Sequence, residues 1–145
     1  RGEAALCALP FSPRLVCADM RDAPLPPCDV VVILDVLHYV DLAAQDALLQ
    51  RVRDALRAGA ADSQTHQAPR LLLRVGDAAN RRGFAISQWV DRVVTLVRGH
   101  RVAPTWGRPL AAWVQQLQNL GFEVSSVPMS QGTPFANVLL VADLK

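Results

Sequence analysis

The side chains best equipped for chemistry are three aspartates and one histidine. Asp19, Asp35 and Asp77 each close an aliphatic stretch, in the runs Arg14–Asp19, Cys28–Asp35 and Arg70–Asp77. Open α/β sheets bind ligands at the carboxyl ends of their strands. Three carboxylates there would form an acidic rim, suited to hydroxyls, amines or a cation and unsuited to phosphate. The alternative is that each aspartate only caps the turn after its strand. The run Asp35-Val36-Leu37-His38-Tyr39 places a carboxylate, an imidazole and a phenol within one turn. An imidazole titrates near neutral pH, which suits a general base. Equally open is a packing role, with His38 and Tyr39 lying under the next helix and doing no chemistry.

The other candidates are weaker. His66 lies in a polar loop and His100 in an arginine-flanked connector, so both read as solvated. No pair of histidines, and no His/Cys pair, has metal-site spacing, so no metal site is expected. There is no GxSxG elbow, Walker loop or intact GxGxxG turn. Arg92, Arg98, His100, Arg101 and Arg108 form a basic run that reads as a solvated helix face; its functional alternative is a site for an acidic substrate or carrier beside Trp106. Trp89 and Trp113 stand at helical positions and read as core.

These groups need elements to position them. Val30–Leu34 is five aliphatics in a row, four of them β-branched, the pattern of a parallel strand in mid-sheet with both faces buried. A helix is expected from Asp41, its N-cap, to Arg57, with Leu42, Leu48, Leu49, Val52 and Leu56 inward. Residues Ala58–Ala68 read as a loop containing Gly59, and Arg70–Val75 as a strand. Helices follow at Ile86–Val97 and Pro109–Leu120, the second stopped by Gly121. Strands Glu123–Val127 and Ala136–Ala142 close the chain, and their short connector requires an antiparallel hairpin. Alternating strands and helices imply a mostly parallel α/β sheet.

Composition bounds the rest. The 145 residues, 51% hydrophobic and 19% charged, make one domain with a core of its own. Fifteen basic against thirteen acidic residues, net +2, give no electrostatic case for nucleic acid or an anionic membrane. No apolar run approaches the roughly 18–20 residues of a membrane span. Cys7, Cys17 and Cys28 cannot all pair, which points to a reducing, cytoplasmic setting. No basic-then-apolar leader opens the chain, and its start at Arg1 reads as a processed product or part of something longer.

The run CDVVVILDVLHYVD, a helix ending in LRAG, the strand RLLLRVGD and the tail LGFEVSSVPMSQGTPFANVLLVADL together resemble class I S-adenosylmethionine-dependent methyltransferases. The likeness extends from about Arg14 to Leu144. It implies a Rossmann-like α/β sheet, mostly parallel, with a C-terminal antiparallel hairpin. By this resemblance Arg14–Asp19 is the family's third strand, Asp19 meets the adenine amino group and Met20 lines the adenine face. Asp35 and Leu37 stand at the cofactor–substrate boundary, and His38 is the base for an acceptor that keeps its proton. Tyr39, Trp89 and Trp106 fall on the substrate side. The apolar insert Ala79–Gly107 hints at a small hydrophobic or acyl-type acceptor.

The chain departs from the family in two places. No glycine-rich loop precedes Asp19, and a longer loop, Gly59–Ala68, stands where the family has a Pro-Gly-Gly turn. The expectation is an incomplete catalytic domain over 1–145, lacking the N-terminal strands and inactive by itself. The competing expectation is a methyltransferase-like module that binds a partner and not the cofactor. A dinucleotide-dependent oxidoreductase is disfavoured by the terminal hairpin. Without upstream strands Val30–Leu34 would expose an edge, so either Arg14–Asp19 moves over to pair with it or a second copy of the chain covers it.

Overall fold

A computed structural model describes residues 13–62, 67–76, 106–129 and 137–145. The elements are β1 (Val30–Leu34), a 3-10 turn (Leu37–Tyr39), α1 (Leu42–Asp62), β2 (Arg70–Gly76), α2 (Leu110–Asn119), β3 (Phe122–Pro128) and β4 (Asn137–Leu144). The four strands form one sheet in the order β1-β2-β4-β3. β1 runs parallel to β2, while β4 is antiparallel to both β2 and β3. Three strands therefore point one way and β4 alone is reversed, as the short β3–β4 connector demands.

The register explains the core. Val31 and Ile33 pair with Leu71 and Leu73, which pair in turn with Ala142 and Leu140, so these residues share one face. Leu71, Leu73, Leu140 and Ala142 are fully buried there, with Leu48, Leu49, Val52 and Leu56 of α1 and Trp113 and Leu117 of α2. Asp41 caps α1 as its residue type suggests, its Oδ1 accepting the Ala44 N–H at 2.8 Å. Gly121 ends α2 at φ 90°, a left-handed conformation that favours glycine.

Four expectations need correction. β1 is not in mid-sheet: it borders the described sheet, and Val30, Val32 and Leu34 on its second face are 52%, 55% and 47% exposed. No element among the described residues packs on that face. Arg14–Asp19 forms no strand, and β1 pairs with β2 alone among the described residues. α1 does not stop at Arg57 but continues to Asp62, carrying a buried Gly59 inside it. Leu42 is largely exposed, because it sits at the first turn of α1 ahead of the buried stripe. The expected helix Ile86–Val97, with Trp89, and residues His66, Asp77 and His100 lie outside the described residues. Among the described residues no helix is long and apolar enough to cross a membrane.

Candidate functional site

The carboxyl end of β1 is where the chain leaves regular structure. Asp35, the residue after β1, has φ 54°. This left-handed conformation costs an ordinary residue about 1–2 kcal/mol, and aspartate is among the few that tolerate it. Arg74 of β2 holds it in place. The Arg74 carbonyl accepts the Asp35 N–H at 3.2 Å, and the Arg74 guanidinium donates to the Asp35 carboxylate. That carboxylate raises the guanidinium's pKa further above its ordinary value. The reversal at Asp35 delivers the chain directly into the 3-10 turn.

In that turn Leu37 is buried and anchors the backbone, while His38 is half-buried and Tyr39 exposed. The two rings lie 4.0 Å apart between centroids, inclined at 45°. The Trp106 N–H donates to the His38 carbonyl at 2.9 Å. The fold thus brings Asp35, Leu37, His38, Tyr39 and Trp106 to one sheet end, although Trp106 lies far along the chain.

Gln45 of α1 holds this meeting point together. It is wholly buried, and its Nε2 lies 3.0, 3.1 and 3.1 Å from the carbonyls of Leu37, Val40 and Trp106. Its Oε1 accepts from Arg108 Nε at 2.9 Å. Arg108 also donates to the Leu42 carbonyl, pairs with Asp46 at 2.8 Å and lies 5.2 Å from the Trp113 ring centroid. The reading of Arg108 as part of a solvated run is therefore corrected. Its side chain is 12% exposed because Asp46, Gln45 and the Trp113 face enclose it.

Asp19 and Met20 occupy a second loop on the same helix. The Asp19 carbonyl accepts from the N–H groups of Asp22 and Ala23, closing a turn. Arg51 of α1 donates to the carbonyls of Met20 at 2.6 Å and Ala23 at 2.8 Å. Gln45 and Arg51 stand six residues apart on α1, so their two loops attach about 9 Å apart along its axis. Met20 packs against the core cluster. The Asp19 carboxylate accepts from the Arg21 backbone N–H at 2.9 Å and twice from Nε and once from Nη2 of its guanidinium. Those bonds fill the roughly four acceptor positions of a carboxylate.

The hydrogen bonds from Arg21 hold the Asp19 carboxyl down at about 2, below its ordinary 3.8. Because the folded value is the lower one, the pair's stabilisation is present above about pH 4 and is lost as pH falls through 2. It is also small, since both partners are exposed. In a carbon-detected NMR titration the Asp19 carboxyl should show a midpoint near 2, returning toward 3.8 in Arg21→Ala. A wild-type midpoint already near 3.8 would show that the ion pair does not persist in solution.

Sequence reading missed three residues that build this region, Gln45, Arg51 and Arg74, and took a fourth, Arg108, for a solvated charge. Only Arg74 carried a local signal, as an arginine inside an otherwise aliphatic strand. Among the described residues no group of three His, Cys, Asp or Glu side chains is placed to hold a metal. Cys17 and Cys28 are free thiols, with burial pushing the Cys28 thiol up. Trp89 lies outside the described residues.

No protein-family model matches the chain, and no curated protein matches it either. Solved structures do. Magnesium protoporphyrin IX methyltransferase from Synechocystis PCC 6803, with bound SAH, aligns at TM-score 0.65 and 15% identity over 99% of this chain and 57% of its own. N,N-8-amino-8-demethyl-D-riboflavin dimethyltransferase from Streptomyces davawensis aligns at TM-score 0.55 and 22% identity, covering 88% of this chain and 33% of its own. Human N-acetylserotonin methyltransferase in complex with SAM gives TM-score 0.54 and 17% identity, with 88% and 32% covered. The chain spans between about a third and somewhat over half the length of these structures. The fold is that of the class I methyltransferases.

Proposed function

We propose that this chain carries the adenine-facing and reacting parts of an S-adenosylmethionine-dependent methyltransferase acting on a small hydrophobic or acyl-type molecule, as an incomplete catalytic domain. The observation that supports this most is the left-handed Asp35, which delivers His38 to the carboxyl end of β1, where the Trp106 N–H meets the His38 carbonyl. Strained residues concentrate where structure serves a ligand. The residues fit the adenine end of the cofactor. Asp19 is an ionised acceptor for an amino group once the exposed Arg21 swings aside, and half-buried Met20 offers an apolar flank.

When bound, the cofactor supplies an electrophilic methyl group on sulfur. The chain's own residues orient and protect. Leu37 and Asp35 border the reacting region, Tyr39 and Trp106 line the acceptor side, and His38 takes the acceptor's proton at its imidazole. The free thiols agree with a cytoplasmic setting. The edge of β1 that no described strand pairs with is one that a second copy of the chain would cover.

One observation favours a second reading, a methyltransferase-like module that binds a partner and no cofactor: Arg21 already occupies the Asp19 carboxylate. Calorimetric titration of S-adenosylhomocysteine into this chain and into the full-length gene product separates the two. Binding to the longer chain, weakened about tenfold by Asp19→Ala through loss of one charged hydrogen bond, is the expected result. Binding to neither protein would overturn the enzymatic reading in favour of the module.

A further inference from the structure

We propose that Gln45 is a positioning residue, whose buried carboxamide holds the His38 turn and the Trp106 segment in one fixed relation. The inference takes the meaning of the site from the methyltransferase reading, and its geometry stands independently. A primary amide has two N–H donors and one oxygen. Here the nitrogen faces three backbone carbonyls, of Leu37, Val40 and Trp106, and the oxygen faces the Arg108 guanidinium. Turning the amide over would set its oxygen against three carbonyl oxygens and its N–H groups against a cation. Arg108 therefore dictates the orientation in which Gln45 can serve the turn.

The consequence reaches the candidate site. His38 comes from the turn after β1, and Trp106 from the segment leading into α2. The Trp106 N–H meets the His38 carbonyl at 2.9 Å, and Gln45 grips the backbone on both sides of that bond. The spacing between the proposed base and an acceptor-side aromatic is thus set by a side chain that touches neither ring's function directly. Arg108 adds a second brace, since it also binds Leu42 and Asp46 at the start of α1.

The test is Gln45→Met, which keeps the side chain's length and removes its donors and its acceptor. The backbone amide of Trp106 should then exchange its hydrogen at least about tenfold faster, over and above any change in the amides of β4. The Trp106 indole and His38 ring signals should move as well, assigned through Trp106→Phe and His38→Asn. Leu117→Ala serves as the control for stability alone, because Leu117 is buried in the core and has no part in the clasp; it should accelerate all protected amides alike. If Gln45→Met behaves as that control does, with Trp106 exchange rising only in step with β4 and both ring signals unmoved, the proposal is overturned. Should Gln45→Met fail to fold, Arg108→Gln gives the same reading in smaller measure, and unmoved signals there overturn it equally. No cofactor or acceptor is present in these samples, so a failure of the methyltransferase reading would not imitate either result.

Discussion

Trp113→Ala is expected to cost about 4 kcal/mol of folding stability, within the range for truncating a buried tryptophan. The residue is 2% exposed on α2, against the same face of the sheet that buries Leu140 and Phe122. Truncation leaves a cavity that the rigid sheet cannot collapse to fill. It also removes the ring beneath Arg108, a cation–π contact worth about 0.5–2 kcal/mol. For a chain of this size, about 4 °C of melting temperature per kcal/mol gives a fall of roughly 15 °C. Trp113→Phe keeps an aromatic face for Arg108 and should lose less than half as much. Urea or thermal unfolding measures both; a loss below about 1 kcal/mol for the alanine variant would remove Trp113 from the core.

Gly59→Ala should also destabilise, against the direction that helix propensity sets. Within a helix, alanine is better than glycine by about 1 kcal/mol. At this position a Cβ would stand 2.5 Å from the Cys28 carbonyl carbon and 2.6 Å from its nitrogen. Those are backbone atoms, held to α1 by the Cys28 N–H donating to the Ala55 carbonyl at 3.3 Å, so they cannot rotate away as a side chain would. A steric cost at or above the upper end of the usual 1–3 kcal/mol outweighs the propensity gain. The net expectation is a loss of about 2 kcal/mol or more, near 8 °C in melting temperature. An alanine variant as stable as the parent would mean that the Cys28 segment does not cross α1 at Gly59.

Much of this fold was legible locally, and the reasons differ from element to element. Arg70–Val75 and the closing strands announce themselves by β-branched and aliphatic runs, and their short connector forces the reversal of β4. Asp41 and Gly121 act on backbone groups within a few residues of themselves, so residue type alone located the start of α1 and the end of α2. The cluster Asp35, Leu37 and His38 could be singled out because it follows directly on an aliphatic run. Periodicity also separated Leu48, Leu49, Val52 and Leu56 from the exposed face of α1.

Other features carried no local mark. Gln45 looks like any polar residue of an amphipathic helix, and two of its four partners, Trp106 and Arg108, lie more than sixty residues away. Arg108 looked like one charge among several until Asp46 and Trp113 closed around it. Gly59 read as a loop residue because a glycine required by close approach of Cys28 is indistinguishable, within the sequence, from one that breaks a helix. The aliphatic run of β1 signalled a strand but not its place at the border of the described sheet. Strand type is decided by side chains a few residues apart, and the sequence determines it. Strand position, buried polar partners and the bend at Asp35 are decided by groups that meet only when distant segments pack, and the tertiary structure alone determines those.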